Sequence, residues 1–402
     1  MSRTVLPARP LAASLAVLVL AGGLAACSSS GGGSGAPSDS SSGSGSAPAG
    51  DPHTANVTIN AASGCTPDAT TYAAGGITFK ITNKDATAVT EIELLDGKRI
   101  VGEKENLPPG LSGEFAVQVD AGTYTLYCPG APTENTTITV TGQAPSTGNE
   151  DVAALLKTAT ANYAEYVTTQ VGYLLDTSQK LATALHGTDL AAAQKAYVTA
   201  RPFYEKIEPV AESFTVGNDS LDADIDARDG DVPAAQWKGF HKIEKALYAT
   251  KSPDGLSALG DQLVTNVKKL QGLTQGLTYQ ATELANGAQE LLDEVASSKI
   301  TGEEERYSHI DVLDMAYNVE GSEQAFAQLQ PALAKIDSAL TDQINNAFTA
   351  LDTEIAKFRT TDNDSGYVLY ATLTAADKKD IAAAVKAVQE PLSKVASKVA
   401  NA

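Results

Sequence analysis

The sequence predicts a multidomain protein in which an N-terminal β-sandwich is followed by an all-α antiparallel helical bundle. Between residues 51 and 143, short runs of alternating apolar and polar residues are separated by turn residues, which is typical of strands. Between residues 144 and 402, alanine is frequent and apolar residues recur with the period of an α-helix. The chain of 402 residues is long enough for two or three domains with sizeable cores.

The composition excludes several classes of function. The chain has 29 Lys and Arg against 49 Asp and Glu, a net charge of −20. This balance argues against sequence-independent binding of nucleic acid, which requires a basic surface, and instead favours the attraction of cations. Three Cys and four His are too few for a disulfide-dense mini-domain or an array of zinc fingers.

The N-terminal segment predicts export and a membrane tether. Two arginines precede an apolar run over 11–26, which is too short to span a bilayer comfortably and fits the apolar part of a secretory signal. The run ends in L-A-A before Cys27, which resembles a bacterial lipobox and implies a lipoprotein signal peptide over 1–27 with a lipid anchor on Cys27. An ordinary secretory peptide is the alternative. Residues 28–50, of which 17 are Ser or Gly, predict a flexible tether.

Six short strands are predicted in the first folded domain, over 51–143. Each is bounded by turn residues such as Asn-Lys-Asp, Asp-Gly or Pro-Pro-Gly. Six strands of this length within about 90 residues are typical of a small β-sandwich. The predicted strands are 56–60, 77–83, 89–96, 114–120, 122–128 and 136–141.

Two cysteines at the ends of this domain leave two interpretations open. In an exported protein, Cys65 and Cys128 can form a disulfide that stabilises the sandwich. Alternatively, their thiolates can bind copper or zinc together with Glu91, which shares a strand face with Glu93.

The last strand before Cys128 resembles that of the cupredoxin fold, in which a Cys at this position binds copper. The matching pattern is Y-x-x-Y-C-P-G over 124–130. A blue-copper site also needs two His and usually a Met, whereas His53 is the one His of this domain and it has no Met. The resemblance therefore predicts a cupredoxin-like fold without an electron-transfer copper site.

Eight helices are predicted in the remaining domain, over 144–402. The first, near 152–167, has apolar residues at i, i+3, i+4 and i+7, and the last begins at a capping box over Thr374–Asp377. Pro331 is predicted to begin a helix, because proline is tolerated in the first turn. The helices between the first and the last are predicted near 189–213, 234–249, 256–272, 277–298, 309–328 and 331–358. Long antiparallel helices of this kind indicate a bundle or a pair of bundles.

His241 and Glu244 form the most informative pair in this domain. Both fall in the apolar stripe of the predicted helix 234–248, and three residues apart on a helix their side chains can meet. A buried Glu is rare unless it is paired. Three interpretations remain open: a structural hydrogen bond, a metal site completed by carboxylates of facing helices, and a catalytic pair. No H-E-x-x-H string of a zinc protease is present.

Two acidic segments are candidates for the facing carboxylates. Asp222, Asp224 and Asp226 match the start of an EF-hand loop, but the Gly and the final Glu of that loop are missing, so we expect a solvated acidic loop that attracts cations towards His241. The residues 303–305 predict a solvated helix start, while Asp314 lies on an apolar helix face. The segment 301–321 is therefore the expected source of further carboxylates for a site at His241.

Three motifs resemble those of EfeO-type iron-uptake lipoproteins, which combine a cupredoxin-like domain with an imelysin-like domain. They are the G-x-H-x-x-E motif over 239–244, the segment 302–309 and the segment 105–110. The resemblance implies that iron, as Fe²⁺ or Fe³⁺, is bound outside the cytoplasmic membrane and delivered to a membrane iron permease. A dye-decolourising-type haem peroxidase commonly accompanies such a system. Proteolysis is not the expected activity, although imelysin belongs to a family named for peptidases.

The resemblance also implies two sets of metal ligands. In the helical domain, His241 and Glu244 match the family motif, and Asp261 and Glu320 are further candidates. In the sandwich, the residues that match the family's proposed site are Cys65, Glu91 and Cys128.

Taken with the resemblance, the sequence predicts a non-enzymatic iron-binding component of an iron uptake system, anchored by lipid to the outer face of the cytoplasmic membrane. Two other classes of function stay open. One is a zinc metallopeptidase that uses His241 and Glu244. The other is a module that binds polysaccharide or protein without metal, in which the pair is only structural.

Overall fold

The β-rich region folds as a sandwich of two sheets. The computed structural model describes residues 51–89, 91–97, 99–105, 107–144, 150–216 and 219–402; the predicted signal peptide, the tether and Cys27 lie outside them. The first sheet has the strand order β2-β1-β4-β7 and the second β3-β9-β8-β5-β6. The strands are β1 (Thr54–Asn60), β2 (Gly64–Pro67), β3 (Thr71–Ala73), β4 (Gly75–Asn83), β5 (Ile92–Asp96), β6 (Arg99–Lys104), β7 (Ser112–Val119), β8 (Gly122–Tyr127) and β9 (Asn135–Thr141).

Alternation of side chains explains the core between the two sheets. On β4, every second residue is buried, and Phe79 stacks on Phe115 of β7 with ring centroids 4.9 Å apart. All six predicted strands are present, but β2, β3 and β6 were not predicted. The first two have only 4 and 3 residues, and β6 carries charged residues at both ends.

The second region is helical, so the predicted fold class is confirmed. Helix α1 packs against α2, α5 and α7, and α6 packs against α7 and α9. A two-stranded hairpin, β10 (Thr215–Val216) and β11 (Asp219–Ser220), interrupts the helices. The helices are α1 (Glu150–Leu185), α2 (Leu190–Glu205), α3 (Asp222–Ile225), α4 (Phe240–Glu244), α5 (Ser257–Leu273), α6 (Ala281–Ser297), α7 (Asp311–Ile336), α8 (Ser338–Ala356), α9 (Ala375–Leu392) and α10 (Val395–Ala400).

Several helix boundaries differ from the prediction. Pro331 does not begin a helix but lies inside α7, and the break comes at Asp337. The Asp337 carboxylate accepts a hydrogen bond from the Leu340 amide at 3.0 Å and so caps α8. The capping box at Thr374 is confirmed, because the Thr374 hydroxyl and the Asp377 carboxylate each accept a hydrogen bond from the other residue's backbone amide. No helix of the described residues is long and apolar enough to cross a membrane.

The sandwich packs on the helical region through β4, β6 and β7, which contact α6 and α10. The Lys104 ammonium lies 2.8 Å from a Glu290 oxygen and 2.6 Å from an Asp293 oxygen. The Asn286 amide donates to the carbonyl of Ala116 on β7 at 2.8 Å. Charged and polar contacts therefore hold β6 and β7 against α6, and they fix the positions of Glu290 and Asp293 between the two regions.

Candidate metal centre

The backbone before His241 makes a tight turn rather than the predicted helix. Residues 234–236 are not helical, and α4 begins only after Gly239, which has a φ of 86°. A Cβ on this glycine would lie 2.1 Å from the carbonyl oxygen of Ile225. Only glycine therefore lets the chain pass this close to the end of α3, and the turn directs the next side chains inward.

His241 and Glu244 are both buried, each with 1% of its surface exposed. One Glu244 oxygen accepts hydrogen bonds from the backbone amides of Tyr307 at 2.6 Å and Ser308 at 2.7 Å. By contrast, neither ring nitrogen of His241 has a hydrogen-bond partner within the described part of the chain. A fully buried imidazole whose nitrogens form no hydrogen bond of normal geometry is unusual, because burying an unsatisfied polar group costs about 1–3 kcal/mol.

Four carboxylates surround the imidazole, two on each side. On the Nε2 side, an Asp226 oxygen lies at 3.5 Å and a Glu304 oxygen at 3.4 Å. On the Nδ1 side, a Glu244 oxygen lies at 3.6 Å and a Glu305 oxygen at 3.9 Å. Within each group of three, the possible ligand atoms lie within 4.8 Å of one another. We call these five residues the His241 cluster.

Three of these carboxylates were expected to be in solvent, and this was wrong. Glu304 and Glu305, predicted as a solvated helix start, are 3% and 0% exposed, and Asp226 is also buried. The segment 301–321 does, however, supply two of the carboxylates that face His241. Glu305 is held in place by the hydroxyl of Tyr197, which donates to it at 2.6 Å.

Arg201 on α2 is the central residue that sequence reasoning missed. Its guanidinium is wholly buried and bonds to Glu205 and Asp226. It also lies 2.9 Å from an oxygen of Asp314 and 3.0 Å from one of Glu305. The sequence does contain a pattern that could have indicated this residue. Arg201 and Glu205 are four residues apart, and both lie on the apolar face of α2 that also carries Tyr197 and Tyr204.

A second buried cation, Lys299, also faces Glu304. Its ammonium lies 2.5 Å from an oxygen of Glu208 and 3.6 Å from oxygens of Glu205 and Glu304. Asp314, which was expected on an apolar helix face, is indeed buried, but Arg201 is its partner rather than His241. The two cations compensate part of the negative charge that the helices bury here.

The environment shifts the pKa values of the cluster in opposite directions. Burial, together with the charge of Glu244, raises the pKa of Glu305 to about 8. Although burial opposes it, Lys299 and His241 hold the pKa of Glu304 well below its usual range. Burial alone would lower the pKa of His241, but Asp226, Glu244 and Glu304 raise it well above its usual value. Any cation that binds the imidazole therefore has to compete with a proton.

The donor set of the cluster is one imidazole and several carboxylates. This combination suits iron, and it can also take zinc or copper. A zinc hydrolase of the H-E-x-x-H kind needs a second imidazole, and His241 is the one His of the cluster as described. The chemistry that this arrangement supports best is the binding of a cation.

The structure does not bring Asp261 or Glu320 to the His241 cluster, so both assignments are corrected. The Asp261 side chain is 62% exposed on the outer face of α5 and pairs with His186 at 3.0 Å. The Glu320 side chain is 42% exposed and pairs with Lys206 at 2.8 Å. Each carboxylate already has a basic partner at the surface, outside the apolar stripe of its helix.

In the sandwich, Cys65 and Cys128 form a disulfide, with Cα atoms 6.3 Å apart. The bond joins β2 of one sheet to the end of β8 in the other. Their sulfurs are therefore not free thiolates, which corrects the alternative in which both bind metal with Glu91. Glu91 lies instead beside Glu93 in a surface depression that Tyr127 and Glu212 also line.

The fold and the cluster together define a class: a cupredoxin-like sandwich joined to an imelysin domain. The family model described as imelysin matches residues 159–395, and the model described as cupredoxin-like domain matches residues 36–140. The chain belongs to the EfeO family within this class.

Three relatives carry that assignment, and each is named iron uptake system component EfeO. The protein of Yersinia pestis is 34% identical over 311 residues, which cover 76% of this chain and 81% of the relative. That of Yersinia pseudotuberculosis serotype I (strain IP32953) is 35% identical over 311 residues, with 76% and 80% covered. That of Escherichia coli O157:H7 is 34% identical over 322 residues, with 79% and 84% covered.

Proposed function

We propose that this protein is the iron-binding component of an iron uptake system, and that it captures iron at the His241 cluster and passes it to a membrane permease. The observation that carries the proposal is the buried imidazole of His241, whose two nitrogens face four carboxylates and have no hydrogen-bond partner among the described residues. The relatives named as iron uptake components support iron as the cargo.

The two sides of the imidazole have different roles in this proposal. Asp226 and Glu304, on the Nε2 side, also line a cavity, together with Arg228, whose guanidinium lies 3.1 Å from an oxygen of Glu304. Glu244, on the Nδ1 side, is fixed by two backbone amides through one oxygen, and its other oxygen lies 3.6 Å from Nδ1, where a small shift of the ring would let it accept the Nδ1 hydrogen. A carboxylate in this position is the usual partner of a metal-binding His. Iron therefore binds Nε2 with Asp226 and Glu304, and Glu244 positions the ring.

The proposed location and partners rest on the N-terminal segment and on the resemblance to the family. The lipobox-like ending before Cys27 supports export and a lipid anchor at the outer face of the cytoplasmic membrane. The tether over 28–50 then precedes the sandwich domain over 51–143 and the helical domain over 144–402. A permease in the same membrane receives the iron, and a dye-decolourising-type haem peroxidase acts alongside.

Calorimetry with Fe²⁺ under anaerobic conditions tests the site. His241→Ala is expected to lower the affinity by about tenfold or more, which corresponds to about 1.4 kcal/mol or more, because one ligand is lost. Glu244→Gln is expected to cost about tenfold through the orientation of the ring. His186→Ala is the matched control, because His186 is exposed and pairs with Asp261 far from the cluster.

The circular dichroism spectra of the variants must match that of the wild type for this comparison. If folded His241→Ala then binds Fe²⁺ as tightly as His186→Ala does, iron binds elsewhere and the proposal is wrong. Incubation with casein, with and without a chelator, tests the peptidase alternative, for which we expect no chelator-sensitive cleavage.

A further inference from the structure

Arg228, three residues after α3, lies between the His241 cluster and the protein surface. It lines the cavity of about 130 Å³ whose wall includes Asp226 and Glu304. It also lines the surface depression that contains Glu91 and Glu93. Its side chain is 26% exposed, whereas that of Glu304 is 4% exposed. The residue therefore lies where the depression at the surface adjoins the cavity beside Glu304.

The two oxygens of Glu304 face different groups. One oxygen lies 3.4 Å from Nε2 of His241 and 3.6 Å from the ammonium of Lys299. The other oxygen accepts a hydrogen bond from the guanidinium of Arg228 at 3.1 Å. Because Arg228 also lines the cavity, its guanidinium covers Glu304 on the side from which an ion would approach the imidazole.

The guanidinium has further partners at the surface. Its Nε lies 3.1 Å from an oxygen of Asp231, which also accepts a hydrogen bond from the Arg228 backbone amide at 2.9 Å. The nitrogen that contacts Glu304 lies 3.5 Å from an oxygen of Glu303. The side chains of Asp231 and Glu303 are 44% and 39% exposed. A guanidinium that leaves Glu304 can therefore keep ionic partners in solvent, which limits the cost of its movement.

The backbone on the N-terminal side of Arg228 is fixed. The indole N–H of Trp237 donates to the carbonyl of Ala227 at 2.7 Å, and both residues are buried. A movement of the guanidinium away from Glu304 therefore needs only a rotation of the Arg228 side chain. The same contact makes Trp237 a reporter that is hydrogen-bonded to the residue next to Arg228.

A guanidinium that is paired with a ligand carboxylate competes with an entering ion. Because it is tethered to the protein, it is present beside Glu304 at a high effective concentration. The ion has to break a charge-assisted hydrogen bond before this oxygen of Glu304 is free. Until the guanidinium moves, its positive charge also repels an ion in the cavity.

We propose that Arg228 sets the affinity and the rate with which the His241 cluster takes up a cation. In the empty protein its guanidinium covers Glu304, and when an ion binds it moves towards Asp231 and Glu303. This inference rests on the proposed function for the identity of the cargo and of its ligands. Arg228 is a positioning residue and not a ligand, because a guanidinium has no lone pair to offer a metal.

Anaerobic calorimetry with Fe²⁺ on the full chain, at about 0.15 M salt, measures the affinity. Arg228→Gln is expected to bind Fe²⁺ about tenfold more tightly than the wild type, because the ion no longer breaks a hydrogen bond between charged groups. Arg228→Lys keeps the charge but not the fork that spans Glu304 and Asp231, and its affinity is expected to lie between these two.

Arg306→Gln is the matched control. It removes the same charge two residues after Glu304, at an exposed position where the side chain donates to the carbonyl of Asp229 at 2.9 Å. It is expected to change the affinity by about twofold or less, because solvent and salt screen an exposed charge. The circular dichroism spectra of all variants must match that of the wild type.

The rate of uptake is the second measurement. Stopped-flow fluorescence of Trp237, the single tryptophan of the chain, follows Fe²⁺ loading. Arg228→Gln is expected to load faster than both the wild type and Arg306→Gln, because a positive charge no longer stands in an acidic cavity. An arginine that only supported the fold would give the opposite result, since its loss would weaken and slow binding.

Folded Arg228→Gln that binds Fe²⁺ no more tightly and no faster than Arg306→Gln overturns the inference. Should Arg228→Gln not fold, Arg228→Lys replaces it, and an affinity no higher than that of the wild type is then the contrary result.

His241→Ala, alone and combined with Arg228→Gln, separates this inference from the proposed function. A gain in affinity that vanishes in the His241→Ala background supports Arg228 as the residue that covers this cluster. A gain that persists there places the arginine at another site and overturns the inference. If Arg228→Gln has no effect while His241→Ala loses Fe²⁺ affinity, the inference fails and the proposed function stands. A normal affinity in His241→Ala contradicts the proposed function itself.

Discussion

Replacing Arg201 with methionine removes the positive charge around which α2, α7 and the segment before α7 are packed. The guanidinium is wholly buried and lies within salt-bridge distance of five carboxylates, those of Glu205, Asp226, Glu304, Glu305 and Asp314. Methionine keeps much of the apolar volume but leaves these carboxylates without their main cation. The fold then has to bury uncompensated negative charge or take up protons.

The expected cost follows from the behaviour of buried ion pairs. Removing one partner of such a pair lowers the free energy of unfolding by about 3–5 kcal/mol, because a charge remains buried and unpaired. We expect a loss in this range near pH 8 for Arg201→Met. We also expect the loss to shrink towards about 2 kcal/mol near pH 5.5, because burial raises the pKa values of Glu305 and Asp314 and protonation removes their charge.

Urea denaturation followed by Trp237 fluorescence measures this change in the helical region. Lys195→Met is the matched control: it removes one positive charge from the same helix, but its partner is the exposed Asp364 and both side chains are more than half in solvent. Exposed pairs contribute about 0–1 kcal/mol. A loss for Arg201→Met near pH 8 that is no larger than that for Lys195→Met would contradict this role of Arg201, and so would a loss that does not shrink as the pH is lowered.

Two further predictions concern the sandwich and the turn before the cluster. Burial and Glu91 raise the pKa of Glu93 from 4.5 to about 7. The folded state therefore holds this proton more tightly than the unfolded chain, and stability falls as pH rises through that interval. Glu93→Gln is expected to raise the free energy of unfolding by about 1 kcal/mol near pH 8 and by nothing near pH 5, which denaturation at the two pH values checks. Gly239→Ala places a Cβ 2.1 Å from the Ile225 carbonyl oxygen and is expected to cost about 3 kcal/mol and to weaken Fe²⁺ binding. Gly255→Ala, also at positive φ but in open space, is expected to cost about 1 kcal/mol and to bind normally; equal effects of the two would contradict this account.

Local periodicity explains why most elements could be predicted from the sequence. The alternation of β4 and the helical stripe of α1 are set by neighbours along the chain, and so is the capping box at Thr374. Pro331 is a case that local periodicity could not predict. Its tolerance inside α7 depends on the tertiary structure, and the helix ends instead at Asp337, whose side chain caps the next one.

The candidate site could be predicted only in part, because its charges are buried by residues distant in sequence. The H-x-x-E spacing identified His241 and Glu244. The sequence around Glu304 and Glu305, however, is that of a solvated helix start, and their burial depends on Arg201 from the distant helix α2 as well as on the neighbouring Lys299. The assignment of Asp261 as a metal ligand was wrong because this residue lies at the surface, where it pairs with His186. Nothing in the sequence of its own helix indicates that pairing.

The buried cations Arg201 and Lys299 affect how the protein would release a bound metal ion. Because they already neutralise part of the acidic interior, the helices do not depend on a transported ion for their cohesion. Under the proposed function, release of iron would leave a guanidinium and an ammonium in place, so the empty protein would stay folded and could be loaded again. The same two groups would repel an incoming cation and limit how tightly it is held, which would favour its transfer to an acceptor over storage.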